Sequence, residues 1–405
     1  MGEKAKKFVI KEATRKRCKV IKVDEKILRR FVPISLELFP YLKEANSIDF
    51  SLFFRTGDEI IEFIKPNELS NELLEQMWTA SLKPSAHVEI CLLKSEHPKF
   101  EAIINSVRSR KIKLVLASDR TLDPQVAEVY STLSSASQMI IRGGINNHVA
   151  NQAIAAAASI VSAQIDSEVA IGTLSRMINC DSTLYDHSAS VAMLAAIIAG
   201  STLPSPLKKH ECEIVTQSGL YHDAGKACIA NHILNKPGTF TAEEFEIMKT
   251  HTHHGYDEIS KAIEKGAPIH QLTARVALEH HERFTGKGYP HQRKGRLEEN
   301  ENGIHLYSRI VTVADVYSAL LMKRVYKEAL NSDEAIKLMK KIATNDFDPL
   351  IFDPFYNRVM SSIELFDKKQ AALDESFGSV RMIGEKQSFS KAIKKAMNDN
   401  KNKAS

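Results

Sequence analysis

The sequence predicts an α+β protein, with a small N-terminal α/β domain followed by an all-α domain. Three features predict it. Strand and helix signals alternate over roughly the first 130 residues, and helical periodicity takes over from about Gln138 and runs almost to the end. Most of the fifteen histidines fall in that second half, where they recur on helical faces. A chain of 405 residues also exceeds one ordinary core and accommodates two domains.

The N-terminal elements follow from local pattern. Ile48, Phe50 and Leu52 alternate with polar neighbours, the period of a half-buried strand, and Arg55, Gly57 and Asp58 supply a turn into an apolar strand over residues 60–64. Asn67 is placed to cap a helix running through Trp78. Residues 88–93 and 112–116 read as further strands, with a helix near residues 100–107 between them. Residues 1–135 contain no phosphate loop, metal cluster or nucleophile signature, so this domain is assigned a sensory or regulatory role. An Ala-rich stretch over 151–180 reads as helix, giving a connecting helix over 136–180, an all-α domain over 181–370 and a polar basic tail over 371–405.

Composition narrows the function classes. With 43% hydrophobic and 26% charged residues, the chain reads as a soluble globular protein. No apolar run reaches the ~18 residues of a membrane span, and no apolar segment follows the basic N-terminus as a secretory signal requires. Five cysteines, odd in number and without a CxxC pair, read as reduced thiols of a cytoplasmic protein. The net charge of +5 sits largely in residues 4–7 and 391–403, so it gives no surface for DNA or RNA.

The chemical residues lie in the second half. His187 opens a helix whose apolar face is Val191, Leu194, Ala195 and Ile198, which puts the imidazole on that buried face. His222 is in register with Ile214, Val215 and Gly219; Asp223 follows it, and Gly225 can end that helix. His251 lies three residues after Met248, His280 and His281 close a helix carrying Leu272, Val276 and Ala277, and Asp315 lies one turn from both Val311 and Ala319. One inward histidine is ordinarily a satisfied core residue. A whole set of imidazoles and carboxylates aimed inward would leave many polar atoms unpaired, a cost that divalent ions remove. Imidazole with carboxylate suits Fe, Mn, Zn, Co or Ni, and the lack of cysteine ligands argues against a structural zinc. An adjacent His–Asp pair can bridge two ions about 4 Å apart and so generate a hydroxide for phosphate-ester hydrolysis.

These residues resemble the HD-GYP family, bacterial phosphodiesterases within the HD superfamily of metal phosphohydrolases. The resemblance runs from about Tyr185 to Phe355. Its ordered motifs are Tyr-Asp-His-Ser at 185–188, His-Asp-Ala-Gly-Lys at 222–226, Ile-Leu-Asn-Lys-Pro-Gly at 233–238 leading to His251, His-His-Glu at 280–282, Gly-Tyr-Pro at 288–290, Val-Ala-Asp-Val-Tyr at 313–317 and Phe-Asp-Pro at 352–354. It implies an all-α HD-type catalytic domain that hydrolyses cyclic di-GMP, or a related 3′,5′-linked cyclic dinucleotide such as cyclic GMP-AMP, by attack of a metal-bridging hydroxide. It further implies two divalent ions, Fe or Mn first, with Zn, Ni or Co as alternatives. One ion would be held by His187, His222, Asp223 and Asp315; the second would share Asp223 and use His251, His280 and His281. Asp223 and Lys226 would be catalytic, and Lys226, Gly288, Tyr289, Pro290, Arg324 and Lys327 would contact substrate. Residues 324 and 327 share one helix face, with a solvated basic turn as the alternative. A signalling partner could dock on the N-terminal domain or the Gly-Tyr-Pro loop, and a homodimer is compatible.

The chain departs from the family pattern at three places. Thr285 replaces the aspartate usual before the Gly-Tyr-Pro loop. Ser318 replaces an aspartate common three residues after the metal aspartate, and a neutral hydroxyl there predicts weaker discrimination for guanine. Thr183 stands where some members carry a third-metal glutamate, and Asp181 and Asp186 are out of register, so two ions are expected and not three. His210, His232, His253, His254, His270, His291 and His305 match no family position and read as surface or core residues. Two alternatives stay open: a receptor that binds a cyclic dinucleotide with little hydrolysis, and an HD phosphohydrolase acting on another nucleotide.

Overall fold

The computed structural model describes residues 19–22, 25–28, 30–34, 38–56, 59–81, 88–163, 165–180, 186–234, 236, 238–295, 303–322, 329–342 and 346–378. The chain divides into two compact units, residues 1–365 and 366–405.

The N-terminal part is a five-stranded antiparallel sheet in the order β1-β4-β3-β5-β2. Its strands are β1 (Lys19–Lys22), β2 (Phe31–Pro33), β3 (Leu52–Thr56), β4 (Glu59–Ile64) and β5 (Val88–Leu93). Alternation along the strands sorts their side chains between two faces. Leu52, Phe54, Ile61, Phe63, Ile90 and Leu92 join one large core, whereas Phe53, Ile60 and Cys91 join Phe31 on the other face. The large core is closed by helices α1 (Phe39–Lys43), α2 (Asn71–Ser81) and α3 (His97–Ser118), through Leu42, Leu74, Met77, Phe100, Ile104 and Val107.

Several local expectations change. Ile48 and Phe50 reach the core from outside the strand, which begins at Leu52. Asn67 is a turn residue with φ 62, and Ser70 caps α2 by accepting the Leu73 N–H at 3.2 Å. Residues 112–116 are helix: α3 continues past Val107 and buries Ile112 and Val115 at helical spacing from Ile104. The aliphatic run there suits either state, and Lys111, buried and paired with Glu44, hides the helical face from a hydrophobic count.

The segment expected as one connecting helix is divided among α4 (Pro124–Gly143), α5 (Asn147–Ser162) and α6 (Ser167–Cys180). Asp123 and Asn146 cap the first two through side-chain oxygens on the N–H groups of Val126 and Val149. The Ala-rich sequence serves close packing, with Ala150, Ala153, Ala156 and Ala157 all buried. The longer helices that follow are α7 (His187–Ile197), α8 (Lys209–Tyr221), α9 (Ala242–Lys249), α10 (His251–Glu264), α11 (Gln271–Glu279), α12 (Leu306–Leu321), α13 (Ser332–Ile342) and α14 (Pro349–Gly378). Helix α7 is at the centre, buried from Ser188 to Ile197 and packed against α4, α8 and α12. No described helix is long and apolar enough to cross a membrane.

Candidate active site

Each functional side chain sits at or beside a helix end, where backbone geometry fixes its direction. Asp186 is the N-cap of α7, accepting the Ala189 N–H at 3.0 Å, and Ser134 of α4 donates to its other oxygen at 3.0 Å. His187 is therefore the first residue of α7. His222 follows α8, and a 3-10 turn, Ala224–Cys228, follows Asp223. His251 opens α10, His280 and His281 follow α11, and Asp315 lies within α12.

These elements bring all seven expected ligands together around Asp223. Its Oδ2 lies 3.2 Å from His222 Nε2 and 3.6 Å from His187 Nε2. Its Oδ1 lies 3.5 Å from His251 Nε2 and 3.7 Å from His280 Nε2. Asp315 joins both sides, with Oδ1 3.0 Å from His187 Nε2 and Oδ2 3.9 Å from His281 Nδ1. Two sets have donor atoms close enough to share an ion: His187, His222 and Asp223, and Asp223, His251, His280 and His281. The buried atoms His222 Nε2 and Asp223 Oδ1 make no hydrogen bond of good geometry, and each belongs to one of the two sets. Unsatisfied polar atoms in both sets fit a pair of cations.

The imidazoles are oriented from behind. His222, His251 and His280 each place Nδ1 on the carbonyl oxygen three residues back, of Gly219 at 2.8 Å, Met248 at 2.6 Å and Ala277 at 2.9 Å. An Nδ1–H donated to a carbonyl leaves the Nε2 lone pair for the cluster. His187 instead places Nδ1 3.3 Å from the Ser318 hydroxyl. Ser318 is fully buried, one helical turn after Asp315, so it faces a ligand histidine and offers no edge to a base. That corrects the expectation that it tunes guanine discrimination. Ser318→Ala should weaken retention of the ion beside His187 by about tenfold or more, the usual scale for an outer hydrogen-bond partner, and leave base preference unchanged. Competition with a chelator reads the first effect.

Most of the cluster is held in the form that a cation needs, with both carboxyls ionised and three imidazoles neutral. Burial opposes charge on Asp223, but the Lys226 ammonium, 2.5 Å from Oδ2, and His222 outweigh it and hold the carboxyl well below its usual range. Burial likewise opposes charge on Asp315, and His187 and His281 reverse it, leaving that carboxyl ionised. Burial, reinforced by neighbouring imidazoles, holds His280 well below the ordinary imidazole range. Burial pushes His281 down to about 3 and also lowers His251. Burial lowers His222 too, but the carboxylates of Asp223 and Asp315 outweigh it and hold His222 above its ordinary value.

A pH dependence follows for the metal-free protein. Unfolded histidines titrate near ~6.5. Below that pH the unfolded chain binds protons that folded His251, His280 and His281 refuse, so stability falls with falling pH. The contribution of His222 is fully present below ~6.5 and is lost only as pH rises through its folded value, so it does not cancel the others. The two aspartates act only below their unfolded pKa of ~3.9. Stability should therefore drop between pH 6.5 and 5.5, by up to about 1.4 kcal/mol for each of the three histidines. Urea midpoints of chelator-treated protein measure this, and His281→Gln should flatten the dependence. An unchanged midpoint across that interval would show that the imidazoles are not held neutral.

The other expected site residues are placed as follows. Gly288 has no room for a Cβ, which would run into the backbone of His281, Glu282 and Arg283. Tyr289 lays its ring against His281, centroids 4.7 Å apart and tilted by 32°, and Pro290 is half-buried beside it. Arg324 and Lys327 lie outside the described residues, as do Asp181 and Thr183. Thr285 donates to Asp346 Oδ1 at 3.0 Å and so ties the loop to the segment before α14. His270 and His305 are helix caps, accepting the N–H groups of Leu272 and Tyr307.

Two glutamates received no role from sequence reasoning: Glu282, quoted only within the His-His-Glu motif, and Glu279. Glu282 accepts the N–H groups of His291 (2.7 Å) and Arg293 (3.0 Å), which holds the loop after Pro290. Glu279 is fully buried and takes Arg275 and Arg293, both at 2.8 Å, together with Ser308 and the His305 N–H. The available signal was an acid on each side of the paired histidines, followed by a basic loop.

Comparison with known proteins places this arrangement. The HD domain family matches residues 172–351. The cyclic di-GMP phosphodiesterase PA4108 of Pseudomonas aeruginosa is 35% identical over 191 residues, covering 47% of this chain and 42% of the relative. The cyclic di-GMP phosphodiesterase response regulator RpfG of Xanthomonas campestris pv. campestris is 38% identical over 147 residues, covering 36% of each. The 3′3′-cGAMP-specific phosphodiesterase 2 of Vibrio cholerae is 29% identical over 147 residues, covering 36% of this chain and 26% of the relative. The chain thus spans less than half the length of these curated relatives. The stretch that matches the HD domain family, residues 172–351, contains every histidine and aspartate of the cluster.

Proposed function

We propose that this chain is a metal-dependent phosphodiesterase acting on a 3′,5′-linked cyclic dinucleotide, cyclic di-GMP first and mixed cyclic GMP-AMP as the alternative. The observation that carries the reading is the division of Asp223, one oxygen toward His187 and His222 and the other toward His251 and His280. A carboxylate so shared is suited to hold two divalent ions, Fe or Mn, with His187, His222 and Asp315 completing one set and His251, His280 and His281 the other. When bound, such ions acidify a water and draw charge from a phosphodiester. The names of the relatives support the substrate class.

The chain's own residues take the remaining work. Lys226, in the 3-10 turn beside Asp223, would neutralise a phosphate oxygen. Arg324 and Lys327 would clamp the same phosphate. Tyr289, braced on His281, would bound the site on the side of the Gly-Tyr-Pro loop. Residues 1–135 would supply a regulatory input, since every proposed ligand lies beyond them.

The test is to load the full chain with Fe or Mn under anaerobic conditions, incubate it with cyclic di-GMP and cyclic GMP-AMP, and chromatograph the products. Linear or mononucleotide product, with metal analysis near two ions per chain, is the expected result. A chain that binds metal and leaves both dinucleotides intact would overturn the reading, and a reproducible third ion would overturn the two-ion assignment.

A further inference from the structure

The run of rings that begins at His281 does not stop at Tyr289. Helix α9 is set in direction by a reciprocal cap: Thr241 accepts the Glu244 N–H at 3.2 Å, and Glu244 accepts the Thr241 N–H at 2.8 Å. This leaves Phe245 on the outer side of a helix whose neighbours are charged, and Phe245 is 43% exposed. Phe245 meets Tyr289 edge to face, with centroids 6.2 Å apart and planes at 80°. One turn later on the same helix, Lys249 holds its ammonium 4.8 Å from the Phe245 centroid and 5.7 Å from that of Tyr289. Glu246 anchors that ammonium at 2.7 Å. A ligand histidine, Tyr289 and Phe245 therefore form a continuous aromatic path from the metal-ligand cluster to solvent, with a cation over its outer end.

We propose that Phe245 and Lys249 form a base subsite that takes one purine of the cyclic dinucleotide while its phosphodiester lies at the Asp223 cluster. The proposal rests on the function given above and names the residues that recognise the base. Two rings at 80° present differently directed aromatic surfaces, against which a planar base packs face-on or edge-on. Base stacking on an aromatic side chain is tolerant of base identity, because every base has a π face. The subsite therefore selects for a purine nucleotide over a bare sugar phosphate and does not separate guanine from adenine. Lys249 lies over both rings and brings a positive charge, held by Glu246, to the aromatic rim that would meet the base.

The test uses the full chain loaded with Mn, with two readouts. In the first, calorimetry compares GMP with ribose 5-phosphate, which keeps the phosphate and sugar but has no base. Phe245→Ala should weaken GMP by about tenfold or more, leave ribose 5-phosphate within about twofold, and be rescued by Phe245→Tyr. In the second, Phe245→Ala should raise KM for cyclic di-GMP by a similar factor with kcat little changed. Equal weakening of GMP and ribose 5-phosphate would mean that Phe245 only supports the site, and no change in either would mean that the rim does not touch the base. Both results overturn the subsite. If the wild-type chain leaves cyclic di-GMP intact yet shows the base-dependent GMP difference, the proposed reaction fails and the subsite stands.

Discussion

Asp223→Asn should leave a folded helical protein that retains fewer than two ions and hydrolyses cyclic di-GMP slower by on the order of 10³-fold or more, a loss at least as large as removing one transition-state donor. Asparagine keeps the size of the side chain and removes its charge, so packing is not the cause. Asp223 follows α8 in a turn, and no helix depends on its side chain for a cap. Its two oxygens serve opposite groups of imidazoles, so a single substitution weakens both sets at once. His222→Asn touches one set and should spare more of the second ion. Circular dichroism checks the fold, metal analysis the stoichiometry, and product chromatography the rate. Near-normal turnover in the Asp223 variant would remove the basis of the proposed site.

The cluster of histidines and aspartates was legible in sequence because most of its members were tied to an apolar helical register. His187, His222 and Asp315 could be placed on inward faces by counting turns, and the structure puts them within 4 Å of their partners. The β-strands over 59–64 and 88–93 were legible for a similar reason, since β-branched and aromatic runs bounded by turns fit little else. What failed was reading through ambiguous or relational signals. Residues 112–116 are an aliphatic run that suits strand or helix, and only packing along α3 decides it. The role of Ser318 depends on which atom of His187 it meets, a relation between residues 131 positions apart that no local pattern carries. Phe245 looks like an ordinary helix residue until its distance to Tyr289 is known. Glu282 acts through backbone N–H groups nine and eleven residues later, which spacing alone does not single out.

Gly225 shows the same difference and sets the second large effect. Sequence assigned it to the end of a helix, where glycine is favoured for its backbone freedom. The structure gives it another task. A Cβ at 225 would run into the His251 carbonyl and the Gly255 amide nitrogen, and would stand 3.0 Å from the Gly255 Cα. All three atoms are backbone of α10, so no side chain can move aside. Gly225→Ala must therefore push the 3-10 turn and α10 apart, and His251 opens α10. The expected cost is about 3 kcal/mol or more, the upper range for overpacking, because neither contact surface is flexible. His251 Nε2, now 3.5 Å from Asp223 Oδ1, should move with α10, and the ion assigned to His251, His280 and His281 should be lost first. Gly266→Ala separates this effect from backbone strain: Gly266 has φ +87 with nothing within 4 Å of an added Cβ. That control should cost only about 1–2 kcal/mol, the penalty for a left-handed residue with a side chain, and should keep its metals. Urea denaturation with chelator and metal analysis without it read the two consequences separately. If Gly225→Ala matches Gly266→Ala in both, the turn and α10 are not held in contact, and His251 is positioned by something other than that approach.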